Sequence, residues 1–277
     1  MAEQSWQWDP SLYSGSARYY PRGRMPYPKA LADALAAELE LDGSGRLLDI
    51  GCGPGSLTLL LADRFEQAIG VDADPDMLNE ASRLAAEANV DNTQWHHLRA
   101  EDLPASLGTF RLVTFAQSFH WMDRPKVAAI ARGMLATDGA VAHVHAVTHE
   151  GIEGTEALPH PRPPHAAITE LVRSYLGPTR RAGQGTLPNG TARGEDAIYR
   201  AAGFTGPQHI EIPGRVLTRS ADEVVAAVFS LSSAAPHLFG DELPKFEAEL
   251  RKLLHDASPT GTFSEQTREI AVHIWRP

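Results

Sequence analysis

Asp49 ends an apolar run, Leu47-Leu-Asp-Ile50, and glycines follow at 51, 53 and 55; a second acidic residue, Asp72, closes another apolar run 21 positions after Gly51. Alternating glycines let a loop backbone approach a ligand without Cβ clashes. A carboxylate about 20 residues on is placed to accept both hydroxyls of a ribose. The nicotinamide fingerprint needs glycines at the first, third and sixth loop positions. Here Gly51 and Gly53 fit but Ser56 stands sixth, and a count from Gly53 and Gly55 puts Thr58 there. A carboxylate ahead of the loop would also repel a phosphate, whereas it suits an ammonium group. The competing reading is that Asp49 and Asp72 merely cap the loops after their strands.

S-adenosylmethionine has an amino-acid ammonium, an adenosine and no phosphate, so it fits this loop better than a dinucleotide. Four segments, Leu47-Leu-Asp-Ile-Gly-Cys-Gly-Pro-Gly55, Gly70-Val-Asp-Ala-Asp-Pro-Asp-Met77, Ala100-Glu-Asp-Leu-Pro104 and Ala116-Gln-Ser-Phe-His-Trp-Met-Asp123, together resemble the class I S-adenosylmethionine-dependent methyltransferases. The branch they are most similar to is that of trans-aconitate-type and other small-molecule methyltransferases. The resemblance covers about the first half of the chain. Beyond it only Ser230-Leu-Ser-Ser233 and the closing strand before Arg276-Pro277 are similar.

The resemblance implies a Rossmann-like α/β sheet of seven strands, mostly parallel with the last strand antiparallel, and helical lid insertions. It places Asp49, Gly51, Cys52, Gly53 and Gly55 around the methionine part of the cofactor and Asp72 at the ribose. Ala73 and Met77 would pack near the adenine, although a methionine at helical spacing is more often core. Ala100, Glu101 and Asp102 would supply an amide and a carboxylate to the adenine edge, one of the two acids being a solvated turn residue. Gln117 would lie beside the methionine carboxylate and the methyl group, or else simply cap its loop. Cys52, in a glycine loop with no neighbouring base in view, reads as a small packing residue rather than a nucleophile.

Methyl transfer needs no acid–base triad, because a sulfonium already carries a good leaving group; alignment and exclusion of water come first. His120, in Phe119-His-Trp-Met122, is the candidate to touch an acceptor, as general base or as a histidine bracing the loop. Phe119 and Trp121 beside it are candidate acceptor contacts. Tyr19, Tyr20 and Arg24 lie in Tyr19-Tyr-Pro-Arg-Gly-Arg-Met-Pro-Tyr-Pro28, similar to the family's arm that folds over the cofactor but with Met25 where a proline would follow the arginine. Trp6 and Trp8 would belong to the same cover. His143 and His145, two apart on one strand, share one sheet face and read as interior histidines. No metal site is expected. His160 and His165, in a proline-rich stretch, are expected to be exposed.

The elements that must hold these residues alternate along the chain. Leu31, Leu35 and Leu39 mark one helix face after Pro28. Strands are expected at 47–50, 68–72, 93–98, 110–115 and 140–146, with helices between them after Ser56, Pro75 and Pro125. Such spacing gives right-handed parallel crossovers. The pattern breaks over Thr148–Arg193, rich in proline and glycine around one helix from Ala166 to Leu176. It returns as a helix near Asp196–Ala202, a strand over 208–212 and a last strand over 269–275. A helical insertion with Val224, Val225, Val228, Phe229, Phe246, Leu250, Leu253 and Leu254 separates those two strands. The domain organisation is therefore read as an arm over 1–27, a cofactor-binding core over 28–147, a lid insertion over 148–193, and the rest of the core over 194–277.

Composition bounds the partners. The chain has 277 residues, 43% hydrophobic and 22% charged, a formal charge of −10 and one cysteine. An acidic balance argues against a nucleic-acid partner, and no apolar run approaches the ~18 residues of a membrane span. The N-terminus lacks the basic and apolar segments of a secretory leader, so a cytoplasmic location is expected. A lone cysteine forms no intramolecular disulfide. The function read from the sequence is methyl transfer to a small-molecule acceptor, aromatic or heterocyclic in view of Phe119 and Trp121. A carboxylate acceptor, or a noncatalytic cofactor-binding sensor or partner subunit, are the alternatives. The oligomeric state is left open.

Overall fold

The computed structural model describes residues 9–154, 157–179, 181–182, 185–186 and 194–277. After a short helix α1 (Tyr20–Gly23) come α2 (Lys29–Leu39), β1 (Arg46–Ile50), α3 (Ser56–Leu61), β2 (Gln67–Asp72), α4 (Pro75–Glu87) and β3 (Thr93–His97). They are followed by β4 (Phe110–Ala116), α5 (Arg124–Gly133), β5 (Leu135–His145), α6 (His165–Leu176) and a two-residue ribbon, β6 (Arg181–Ala182) and β7 (Gly185–Thr186). The chain closes with α7 (Glu195–Ala201), β8 (Thr205–Ile212), β9 (Val216–Ser220), α8 (Ala221–Phe229), α9 (Leu243–Ala257), β10 (Thr262–Gln266) and β11 (Ile270–Arg276).

Seven strands form one sheet in the order β3-β2-β1-β4-β5-β11-β8. β1 pairs in parallel with β2 and β4, and β11 runs antiparallel to both β5 and β8. The expected Rossmann-like sheet with an antiparallel last strand is therefore present. Its inner strands β1, β2 and β4 are near-continuous buried runs because helices cover both faces there. Alternation along β1 sends Leu48 and Ile50 into a core with Phe110, Phe115 and Trp275, and Leu47 into one with Leu31, Leu35 and Leu61. The helix face marked by Leu31, Leu35 and Leu39 is thus the buried one. β5 begins at Leu135, five residues before the expected start, because a register irregularity lets Phe110 pair Leu135 while Leu112 pairs Ala140.

The reversal between β1 and β4 places the carboxyl ends of β1, β2, β4 and β5 around one crevice, where open α/β sheets bind ligands. Opposite that crevice stands the chain inserted between β8 and β11. It holds α8 and α9 and also two paired strands, β9 and β10, which the helical pattern of its leucines and valines did not reveal. Ile168 and Leu176 of α6 join Val224, Phe229, Phe246 and Leu250 in a third apolar core, with Tyr19 packed against it. Segments read separately along the sequence thus share one interior.

The arm is fastened to this unit. Leu12 is fully buried, Ser16 Oγ donates to Phe229 O at 2.8 Å, and Met25 N donates to Thr148 O at 2.6 Å. Beneath it lies a buried ion cluster. Arg219 donates to Glu265 Oε2 at 2.7 Å, to Gly23 O at 2.6 Å and to Glu223 O at 2.9 Å. Glu265 Oε1 also meets His165 Nε2 at 2.6 Å and accepts from Gly151 N at 2.8 Å. Burial pushes the Glu265 carboxyl up, but the hydrogen bond of His165 and the charge and hydrogen bond of Arg219 bring it down to about 2. His165 is thus paired rather than exposed as expected, while His160 is exposed.

Candidate functional site

Backbone geometry at the glycine loop follows from its residue types. Gly51, Gly53 and Gly55 have φ of 70°, 55° and 76°, the left-handed region that glycine enters without a Cβ penalty. At Gly55 a Cβ would run into the Trp95 ring, and at Gly51 into Ser118. At Gly53 it would meet no atom within 4 Å and would project into the cavity that this residue lines. The loop is therefore tight on its protein side and open on its ligand side.

Asp49 and Asp72 flank this loop. Asp49 is 1% exposed and accepts hydrogen bonds from Thr58 Oγ1 at 2.7 Å and Thr114 Oγ1 at 2.8 Å. Burial raises its pKa, against the two hydroxyls that lower it. Each oxygen keeps a second lone pair for a cation arriving from the cavity it lines. Asp72 accepts from Gly53 N at 2.7 Å and Asp74 N at 2.9 Å, which pins the loop to β2. Burial pushes its carboxyl up to about 6. The Asp74 side chain caps α4 by accepting from Asp76 N and Met77 N, which sets Met77 into the wall.

Three cavities meet at these residues. One of about 680 Å³ is lined by Gly51, Gly53, Asp72, Ala73, Met77, Ala100 and Glu101, with Gln117, Tyr20 and Trp121 at its far side. A second, of about 1090 Å³, reaches Asp49, Cys52, Arg24 and Tyr27. A third, of about 1680 Å³, holds His120, His143, His145 and His149 and shares Tyr20, Gln117 and Trp121 with the first. Gln117 lines all three, with φ of 59°, a costly conformation for a non-glycine residue, and its Nε2 donates to Tyr27 Oη at 3.0 Å. Cys52 Sγ donates to Gly53 O at 3.5 Å, and burial, then Asp72 and Asp49, push its thiol well up, which suits packing rather than attack.

Several expected contacts are not brought to the crevice. Asp102 is exposed and lines none of these cavities, while Glu101 does, held by Asp123 N at 2.9 Å and Arg99 at 3.3 Å. Phe119 is corrected to a core residue: the single 3-10 turn Phe119–Trp121 points it inward, 1% exposed, stacked on Tyr199 at 5.2 Å, while Trp121 faces the cavities. Tyr19 likewise packs on Phe229 at 5.0 Å, whereas Tyr20, the first residue of α1, lines the cavities. Arg24 lines the second and third cavities with Nε donating to Ser230 Oγ at 2.8 Å and its guanidinium 4.6 Å from the Tyr20 ring. Trp6 and Trp8 lie outside the described residues.

Sequence reading missed Tyr13, Ser118 and Thr148. Tyr13 lies edge-on to Trp121 at 6.5 Å and lines the first and third cavities; its place seven residues before Tyr20 in a segment rich in aromatics was the available signal. His143 and His145 stack at 4.3 Å and continue through His273 to His209, a row of imidazoles across β5, β11 and β8. The buried Tyr199 hydroxyl lies 3.2 Å from His143 Nδ1. Burial first, then His145, His273 and His120, drive the His143 pKa well below its usual value, so it is neutral near pH 7. Among the described residues no group of three or more His, Cys, Asp or Glu side chains is placed to hold a metal ion, and no helix is long and apolar enough to cross a membrane.

A family model described as a methyltransferase domain matches residues 47–139, from β1 into β5. The chain carries a class I S-adenosylmethionine-dependent methyltransferase domain. S-adenosylmethionine is the cofactor of this domain, and the open face at Gly53 with Asp49 and Asp72 on either side fits it. An uncharacterised methyltransferase of Schizosaccharomyces pombe is 35% identical over 112 residues, 40% of this chain and 42% of that protein. A trans-aconitate 2-methyltransferase of Pseudomonas aeruginosa is 35% identical over 139 residues, 49% of this chain and 46% of that one. The chain thus spans less than half the length of these curated relatives. Among solved structures, the YcgJ protein of Bacillus subtilis superposes with a TM-score of 0.50 at 20% identity, covering 90% of this chain and 99% of its own. The [4+2]-cyclase SpnF does so with 0.52 at 17%, covering 97% of each. At such identities the likeness is one of fold, and the methyltransferase domain shares that fold with a cyclase, so the reaction must be argued from the site.

Proposed function

We propose that this protein transfers the methyl group of S-adenosylmethionine to a small-molecule acceptor held in the histidine-lined cavity. The observation that carries this reading is the shared wall: Tyr20, Gln117 and Trp121 line both the cavity bounded by Asp72 and the glycine loop and the cavity holding His120. The cofactor, when bound, supplies an activated methyl group. The chain's part is to hold the ammonium near Asp49 and the ribose at Asp72, to pack Met77 and Ala73 on the base, and to exclude water with Tyr13, Tyr20 and Trp121. His120, on the acceptor side of that wall, would remove the acceptor's proton.

The rings of Tyr13, Tyr20 and Trp121 favour an aromatic or heterocyclic acceptor. A second reading, a carboxylate acceptor, is supported by Arg268 and Arg24 in the same cavity and by the likeness to trans-aconitate 2-methyltransferases. We take the protein to act without nucleic acid or membrane, in the cytoplasm. Calorimetry should show S-adenosylmethionine and its demethylated product binding and NAD not binding, and a metabolite screen should yield a methylated product located by mass spectrometry and NMR. Tight NAD binding with no response to either sulfur compound would end this reading.

A further inference from the structure

A fourth cavity lies between α6 and α8. Ile168, Val172 and Leu176 from α6, Val224 and Val228 from α8, and Leu231 just beyond give it an aliphatic stretch, beside which stand polar side chains including Glu150, His165 and Arg173. α6 is held by its packing on α9, and that placement keeps the space open. A concave space that sets aliphatic side chains beside polar groups has the general make-up of a ligand pocket. It is also not isolated, since His149 and Leu231 line both this cavity and the chamber that holds His120, His143 and His145.

We propose that this cavity takes the aliphatic tail of an elongated, amphipathic acceptor whose reactive head lies in the histidine-lined chamber. The inference rests on the methyltransferase reading for the role of the head, and on the aliphatic stretch and the shared residues for the tail. The head meets imidazoles and the aromatic wall, and the tail passes His149 and Leu231 to lie between α6 and α8. Acceptor choice is then set by chain length as well as by the reactive group.

The test is a series of 4-alkylphenols, from 4-ethylphenol to 4-octylphenol, titrated into the full chain by calorimetry. Affinity should rise about fourfold for each added CH2 until the cavity is filled, the increment for transferring a methylene out of water. Two variants fill the space from different sides, Ala227→Phe on α8 and Thr169→Trp on the exposed face of α6, and both should flatten the series. Thr169 is exposed, so this variant folds even where the buried Ala227 change does not. Affinity independent of chain length in the wild-type chain, or a rise that persists undiminished in Thr169→Trp, overturns the tail site. S-adenosylmethionine titrated into the same preparations separates the two readings. Normal cofactor binding with a flat series removes the tail site alone, whereas an intact chain-length dependence without cofactor binding removes the methyltransferase reading and leaves the apolar site standing.

Discussion

The cofactor side of the crevice and the side proposed for the acceptor are built in different ways. On the cofactor side the wall is a set of short consecutive runs, Asp49–Gly55, Asp72–Met77 and Ala100–Glu101, each at the carboxyl end of a strand in the parallel sheet. On the acceptor side it is assembled from residues far apart in sequence: Tyr13 and Tyr20 from the arm, His143 and His145 from β5, and Leu231 after α8. A local run reports its geometry through residue type, because a left-handed loop demands glycine and a ribose demands an acid at a set distance. An assembled wall reports nothing until distant segments are packed together. The family model matches residues 47–139 and so includes neither the arm nor the insertion, and the comparison with relatives divides the molecule along nearly the same line.

The largest expected effect tests whether the acceptor side has a chemical role of its own. If His120 takes the acceptor's proton, His120→Ala should lower turnover roughly 10²- to 10⁴-fold with cofactor affinity nearly unchanged, and should remove the acidic limb of the pH–rate profile. A smaller loss with the pH dependence intact would make His120 an orienting group. Early melting, or loss of cofactor binding, would make it a brace for the turn after β4.

Next in size is the fastening of the acceptor side. Arg219 and Glu265 are 4% and 2% exposed, so Arg219→Ala leaves a buried carboxylate without its cation, a change that costs about 3 to 5 kcal/mol. Urea unfolding followed by tryptophan fluorescence should show that loss. Because the Glu265 pKa is depressed to about 2, its contribution is full above the unfolded carboxyl range near about 4.3 and is lost as pH falls through the folded value. Cofactor affinity well below the unfolding midpoint should survive the substitution. A parallel fall in cofactor affinity would show that the two sides form one cooperative unit, and the contrast between them would then concern sequence only.

On the cofactor side Asp72→Asn should weaken S-adenosylmethionine binding by about 1 to 3 kcal/mol, the scale for a charge-assisted hydrogen-bond partner. The wild-type protein adds a pH signature. Burial holds the empty-site carboxyl at about 6, and ribose hydroxyls favour its charged form, so affinity should fall as pH drops below that value, at most tenfold per unit. The asparagine variant should lack this dependence. A wild-type affinity flat between pH 7 and 5 would show that Asp72 does not accept from the ligand as a carboxylate.

How far the sequence could be read follows the same division. The order of strands and helices through β5 and the glycine loop were legible because each rests on local periodicity or on residue types that one conformation requires; the expectation at Gln117 came from the family resemblance instead. Tyr19 and Phe119 were not legible, because each shares a short helical turn with a cavity residue, Tyr20 or Trp121, and a single turn has no periodicity from which to tell the buried ring from the exposed one. The β9–β10 ribbon escaped notice because its two strands, Val216–Ser220 and Thr262–Gln266, lie 41 residues apart between Ser220 and Thr262 end to end and α8 and α9 dominate the pattern.

The smallest expected effect falls on the seam between the two sides. Gln117 directly follows β4 among cofactor-side residues, yet its amide donates to the Tyr27 hydroxyl at 3.0 Å, and Tyr27 closes the arm segment. Tyr27→Phe removes one acceptor from a partly buried amide whose backbone already sits at a φ of 59°, and the net value of such a hydrogen bond is about 0.5 to 1.5 kcal/mol. If Gln117 is held in its cavity-facing pose from the arm, the substitution should weaken cofactor binding or slow turnover about two- to tenfold, with a change in unfolding midpoint no larger than that of one hydrogen bond. If the strand end alone fixes Gln117, Tyr27→Phe should leave both readouts unchanged. The arm would then contribute to the acceptor side only, through Tyr13 and Tyr20.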